Sequence, residues 1–282
     1  MSLLTSSALR VLGPRDLADA VALLREDRVV NVFAASRVLA TRLIPSRYGG
    51  EVWGWYQRGS LTSLCYAGAN LVPVAASREA VEAYADRARR LGRRCSSIVG
   101  PSDAVAMLWE RLEASWGPAR DVRPQQPVLV CDSAPKVAPD PRVRPVQSHE
   151  VPTLLPASVA MFTEEVGVSP LLGDGGALYR ARVAELVAAG HAFARFDDGQ
   201  VVFKAEIGSV AHEVCQVQGV WVRPELRGQG LSAPGMAAVV EAARRTIAPA
   251  VTLYVNDYNL AARAAYERVG FREVTTFTSI LF

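Results

Sequence analysis

The stretch Val220–Arg245, VWVRPELRGQGLSAPGMAAVVEAARR, changes character at its middle. Before Arg227 the β-branched and aromatic residues suit a strand, and after Gly230 the alanine-rich spacing suits a helix. Between them stands Arg227-Gly228-Gln229-Gly230. Two glycines one residue apart let a backbone curl tightly and approach an anion closely. The first amides of the following helix lack intrahelical acceptors, and the helix dipole adds partial positive charge. Gln229, Gly230, Leu231, Ser232 and Ala233 therefore offer backbone donors, and Arg227 a side-chain cation. This is a phosphate cradle in outline, though a plain strand-to-helix turn fits the same letters. It is not the usual dinucleotide fingerprint, since Leu231-Ser232-Ala233 replaces x-x-Gly, nor a P-loop, since no Gly-Lys-Ser/Thr follows. Pro234 falls in the first helical turn, where a missing amide does little harm.

A second pattern lies downstream. VNDYNLAARAAYERVGF, Val255–Phe271, presents Asn259, Ala262, Tyr266 and then Gly270-Phe271. With both patterns on successive strand–helix units, residues 141–282 resemble the GNAT (Gcn5-related N-acetyltransferase) superfamily. Its cofactor motif, Arg/Gln-x-x-Gly-x-Gly/Ala, is matched by Arg227-Gly228-Gln229-Gly230-Leu231-Ser232. Its Asn-x-x-Ala-x-x-x-Tyr motif is matched from Asn259 to Tyr266. Ser232 departs from the Gly/Ala position, but serine is small and a good helix start. The full chain further resembles two-part members of the superfamily whose N-terminal half has no assigned function.

The resemblance implies a mixed α/β fold and acetyl-CoA as cosubstrate, with no metal. The cofactor would lie in a V-shaped opening between the strands EVCQVQGVWV and AVTLYV. Backbone groups of Val220 and Val222 would pair with its pantetheine arm, and the Arg227–Ala233 turn would hold its pyrophosphate. Asn259 and Ala262 would approach it from the second motif. Tyr266 would protonate the departing thiolate, whose conjugate acid has a pKa of ~8.5; packing against the cofactor is the alternative role. The implied activity is transfer of an acetyl group to a primary amine, on a small molecule or a protein lysine. A CoA-binding sensor without turnover and a transferase for longer acyl groups are the competing readings.

Amine attack also needs a proton acceptor. In VVFKAEIGSV the alternation sends Phe203, Ala205 and Ile207 one way and Lys204 and Glu206 the other. Glu206 is the general-base candidate if that face meets the cleft; a solvated edge pair of Lys204 with Glu206 is the other reading. Glu164 and Glu165 are expected ahead of the first long helix of this half, as an exposed acidic loop or an attractant for a cationic amine. Gln216 and Gln218 could add polar contacts.

The wider composition sets limits. The chain has 282 residues, 50% hydrophobic and 21% charged, which fits a globular protein of one or two domains. No apolar run reaches the ~18 residues a membrane span needs, and the N-terminus lacks a signal-peptide pattern, so the expected address is cytoplasmic. Net charge is +3, with arginines scattered among acids, so neither nucleic acid nor membrane is an expected partner. Nothing speaks to oligomeric state. Cys65, Cys95, Cys131 and Cys215 form no C-x-x-C pair and are expected as small buried residues.

The proline-dense stretch Cys131–Gln147 is the candidate linker, dividing the chain into 1–140 and 141–282. Both halves show the same alternation of elements, so the first is expected to be a degenerate copy. Asp198-Gly199 predicts a hairpin, Ser77 and Gly92 predict the ends of a helix, and GALYRARVAELVAAG predicts an amphipathic helix with Leu178, Val183, Leu186 and Val187 inward. Where the first half should carry its cradle it reads ANLVPVAASREAVEAY, with Pro73 breaking the strand and no glycine turn. No acetyl-CoA site is expected there. Trp53, Trp55 and Tyr56 are expected in the core or lining a pocket.

Overall fold

The computed structural model describes residues 8–44, 49–172 and 175–282. The first run of elements is β1 (Ala8–Val11), α1 (Leu17–Glu26), α2 (Val32–Thr41), β2 (Glu51–Gln57), β3 (Ser60–Ala67), β4 (Asn70–Val74), α3 (Arg78–Leu91), β5 (Ser97–Pro101), α4 (Ser102–Trp116) and β6 (Asp121–Cys131). The second is β7 (Arg144–Pro145), α5 (Val151–Val166), α6 (Ala177–Ala188), β8 (Ala192–Asp197), β9 (Gln200–Ala211), β10 (Val214–Val222), α7 (Ser232–Thr246), β11 (Ala250–Tyr254), α8 (Leu260–Val269) and β12 (Arg272–Leu281). The two runs have the same order, β-α-α-β-β-β-α-β-α-β. The duplication expected from the sequence is therefore present in the backbone.

The chain packs as two compact units that are not the linear stretches 1–140 and 141–282. The first holds the described residues up to Val128 with Tyr254–Tyr258 and Glu273–Phe282; the second holds Leu129–Leu253 and Asn259–Arg272. In the first unit the strand order is β1-β2-β3-β4-β5-β12, followed by β6. The closing strand thus completes the sheet of the first unit, pairing antiparallel with β5 from Phe277↔Pro101 to Leu281↔Ser97. In the second unit the order is β11-β10-β9-β8-β7, and Thr252 on β11 donates to the Leu129 carbonyl at the end of β6 (2.7 Å).

Local sequence explains the elements that matter most. Ser77 caps α3 by accepting the Ala80 amide, and Gly92 ends it. The Asp198-Gly199 turn takes left-handed φ values of +50° and +71°, the geometry of a two-residue hairpin loop. Trp53, Trp55, Tyr84, Ile98 and Leu108 form the core of the first unit. Leu154, Met161, Val183, Leu186 and Trp221 belong to that of the second. Each such side chain, fully buried, contributes about 1.5–3 kcal/mol.

Several expectations are corrected. Pro73 does not break β4 but lies inside it, opposite Cys65. Beyond Leu71 the strand has no β5 partner, and a proline is tolerated on such a free edge. Leu178 is 78% exposed, while Val183, Leu186 and Val187 are buried. Cys95 is only partly buried, unlike the other three cysteines. The proline-rich stretch is tied down within the second unit, where the Asp140 carboxylate accepts from Arg195 (3.0 Å) and its amide donates to the Pro234 carbonyl (3.0 Å).

Candidate active site

Parallel strands β10 and β11 pair only at Val214↔Ala250, Cys215↔Val251 and Gln216↔Thr252. From Val217 onward β10 keeps β9 alone as a ladder partner. The β10–β11 ladder thus stops short of the C-terminal end of β10, leaving Val220 and Val222 without a ladder partner from β11 among the described residues. The β9–β10 ladder is itself interrupted between Gln218 and Trp221. That bulge carries Gly219 at φ +59°, where an added Cβ would lie 2.9 Å from Met161 Cε and 3.3 Å from Lys204 Nζ. The backbone angle favours glycine there, while the neighbouring Met161 and Lys204 ends are flexible enough to give way.

Lys204 lies beneath the bulge. Its Nζ donates to the Gly219 carbonyl at 3.2 Å and to Glu206 Oε1 at 2.5 Å. Lys204 is 0% and Glu206 5% exposed, so the pair is internal and not a solvated edge. The reason is that both faces of β9 are covered: Phe203, Ala205 and Ile207 are as buried as the charged pair. Alternation separated the two faces correctly but could not say that each has a layer over it.

After β10 a short turn at Pro224–Leu226 leads into Arg227 and the glycines. Gly228 and Gly230 have φ of +78° and +80°, and a Cβ at either would meet nothing within 4 Å. Backbone angle, not crowding, demands glycine, and the turn stays open to a ligand. The amides of Gly228, Gln229, Gly230, Leu231, Ser232 and Ala233 have no hydrogen-bond acceptor among the described residues. Gly235 donates to the Leu231 carbonyl, so regular helical bonding begins just past Pro234. A row of unmatched donors at the positive end of α7 fits a diphosphate.

Arg227 is already engaged. Its Nε donates to the Val222 carbonyl (3.0 Å) and its Nη2 to Glu164 Oε2 (2.6 Å), while Glu164 Oε1 accepts from Trp221 Nε1 (3.3 Å). Glu164 and Glu165 occupy the last turn of α5, not a loop ahead of a helix. Helical periodicity in that segment is blurred by Pro156, which α5 nonetheless contains.

The second motif builds α8. Asn259 caps it, its Oδ1 accepting the Ala262 amide at 3.2 Å. Tyr266 sits on the inner face with Ala265 and Val269, 6% exposed, its ring 5.8 Å from that of Phe271. Burial, reinforced by the negative field of Glu165, raises its phenol pKa above the ordinary value. Tyr179 on α6 donates to the Ser158 carbonyl (2.8 Å), and its phenol is raised by burial and then by the fields of Glu206 and Glu165. Tyr266 and Tyr179 thus share the field of Glu165, and Glu206 acts on Tyr179. Sequence reasoning missed Tyr179, which reads as one more large residue in an amphipathic helix. Gln216 is buried and Gln218 exposed, the latter lying across Gly208.

Among the described residues no cluster of His, Cys, Asp or Glu is placed to hold a metal ion, and no helix is long and apolar enough to cross a membrane.

Comparison with known proteins bears on the fold. Residues 170–271 match the model of the Acetyltransferase (GNAT) family, and residues 50–154 match a domain of unknown function, DUF4081. No curated protein matches the sequence. Among solved structures, a GNAT-family acetyltransferase from Colwellia psychrerythraea is similar at TM-score 0.59 and 11% identity, over 98% of this chain and 99% of its own. A GCN5-related N-acetyltransferase from Sphaerobacter thermophilus aligns at TM-score 0.59 and 15% identity, over 97% and 94%. A tandem GNAT protein from the clavulanic acid biosynthesis pathway aligns at TM-score 0.56 and 13% identity, over 98% of both chains. These likenesses extend over both element runs.

Proposed function

Since the chain is a two-part protein of the GNAT acetyltransferase family, we propose that its second unit transfers an acetyl group from acetyl-CoA to a primary amine. The observation that carries this reading is the open Gly228–Gly230 turn with its unmatched amides, set at the end of a strand that parts from its parallel neighbour. Bound acetyl-CoA supplies an acetyl group already activated as a thioester. The turn amides from Gly228 to Ala233 hold the pyrophosphate, and Arg227 joins them once it exchanges the Glu164 carboxylate for phosphate. Backbone groups of Val220 and Val222, which have no ladder partner from β11 among the described residues, align the pantetheine arm.

Tyr266 is the general acid: its buried phenol keeps its proton at neutral pH and gives it to the departing sulfur. Glu206 is the base candidate and acts within its ion pair with Lys204, which also braces the bulge carbonyl at Gly219. Glu165, at the end of α5, sets the negative field felt by both tyrosines and favours a cationic acceptor on approach. Asn259 holds the start of α8, and so the position of Tyr266.

Thiol release from acetyl-CoA, measured across a panel of small primary amines and lysine peptides, tests the proposal. Amine-dependent release that disappears in Tyr266→Phe supports it. Tight CoA binding with no release on any amine supports the sensor reading. Release only with longer acyl-CoA thioesters supports the third.

A further inference from the structure

The first unit contains a cavity of about 290 Å³ that the transfer reaction does not use. It opens where β2 and β4 begin and where α3 and α4 end, with Gly50, Leu71, Leu91 and Trp116 on its walls. The β4–α3 turn lies at the other end of β4, so this cavity is not the counterpart of the Arg227–Leu231 cradle. Its size is near the lower end of the ~300–1,000 Å³ typical of small-molecule sites, which limits an occupant to one ring system.

The lining divides by chemistry. Trp53, Leu71, Ala88, Leu91 and Trp116 make it apolar, and two indoles favour a flat aromatic ring. Two charged residues stand at the rim. Glu51 Oε2 accepts from Trp53 Nε1 (2.6 Å) and from Arg87 (2.6 Å), so its charge is matched locally. The other, Arg94, is exposed and makes no hydrogen bond among the described residues, and it acts on Glu51 through its field alone. Two guanidiniums, Arg87 and Arg94, thus act on the one carboxylate of Glu51, so the net charge around the rim is positive, and a guanidinium binds a carboxylate through two parallel hydrogen bonds. Cys95 also lines the cavity; burial pushes its thiol up to about 11, so it serves as wall and not as nucleophile.

We propose that this cavity binds a small aromatic carboxylic acid, its ring between the Trp53 and Trp116 walls and its carboxylate on Arg94. The duplicated fold would then carry two ligand sites of different kinds, at opposite ends of corresponding strands. The proposal does not depend on the acetyl-transfer reading.

Calorimetric titration of the full chain with hydrocinnamate, and with hydrocinnamide as its uncharged match, tests it. Hydrocinnamate is expected to bind at one saturable site, with the amide weaker by about tenfold. Arg94→Gln, an exposed change, is expected to remove that difference by weakening the acid alone. Leu91→Trp, at the partly exposed end of α3, is expected to fill the cavity and abolish binding of both, with a thermal melt confirming the fold. Saturating CoA is expected to leave hydrocinnamate binding unchanged. No saturable binding of the acid, an undiminished affinity in Arg94→Gln, or competition by CoA would each overturn the proposal.

Discussion

The turn after β4 and the turn after β10 occupy the same place in two copies of one fold, and they differ in how many backbone amides find an acceptor among the described residues. Both strands part from a parallel neighbour early: β4 pairs with β5 only at Asn70↔Ser97 and Leu71↔Ile98, and β10 with β11 at three positions. The following turns then diverge. In the first unit Ser77 Oγ accepts the Ala80 amide (3.3 Å) and donates to Glu79 (2.8 Å). That turn satisfies its own helix start and places a carboxylate there. In the second unit the amides from Gly228 to Ala233 are left open and Arg227 stands beside them. The two copies share the short pairing between parallel strands, whereas the turns differ through Ser77 in one and Gly228 and Gly230 in the other.

The largest effect should come from closing the second turn. Gly230→Trp places a bulky side chain at φ +80°, straining the turn by about 1–3 kcal/mol and covering the donors. Acetyl-CoA should no longer raise the melting temperature, and kcat/KM should fall by about 10²-fold or more. Tyr266→Phe should lower kcat by about 10²–10⁴-fold with little change in KM for acetyl-CoA, measured by steady-state thiol release. The sign of the Tyr266 shift adds a pH test. A phenol raised above its ordinary 10.0 stabilises the fold fully below that pH and loses this contribution as pH rises past it. Hence kcat should show no loss from ionisation of Tyr266 until pH exceeds 10.0.

Lys204→Met should be costly to the fold itself. It strands the Glu206 carboxylate under the bulge and should lower unfolding free energy by about 3–5 kcal/mol in urea titrations. Adding Glu206→Leu should recover much of that loss. A smaller effect is expected from Glu164→Gln. The Glu164–Arg227 pair is half-exposed, worth about 0–1 kcal/mol, so releasing Arg227 to phosphate should tighten CoA binding by no more than about fivefold. The smallest change belongs to the first turn: Ser77→Ala should cost α3 about 1 kcal/mol of capping while leaving CoA affinity unchanged.

What could be read beforehand follows from how local each signal is. Ser77 and Gly92 mark the ends of α3, and Asp198-Gly199 marks the β8–β9 hairpin, because caps and turns act within a few residues. The Gly228–Gly230 turn and the helix that Asn259 caps were legible for the same reason. Contacts between distant residues were not. Nothing in MFTEEVG shows that Glu164 will reach Arg227, and period-two alternation cannot show that Lys204 and Glu206 are roofed over. Nor does chain order say which sheet a strand joins: TTFTSILF follows the second motif, yet β12 completes the sheet of the first unit. Tyr179 gained its place near Glu165 and Glu206 through the packing of α6, which no motif announces.

The claim that only the second turn holds the cofactor is tested most directly by the stoichiometry of CoA binding to the full chain, measured by titration calorimetry. One CoA per chain, and none in Gly230→Trp, is the predicted result. Two per chain, or one that survives in Gly230→Trp, would contradict it.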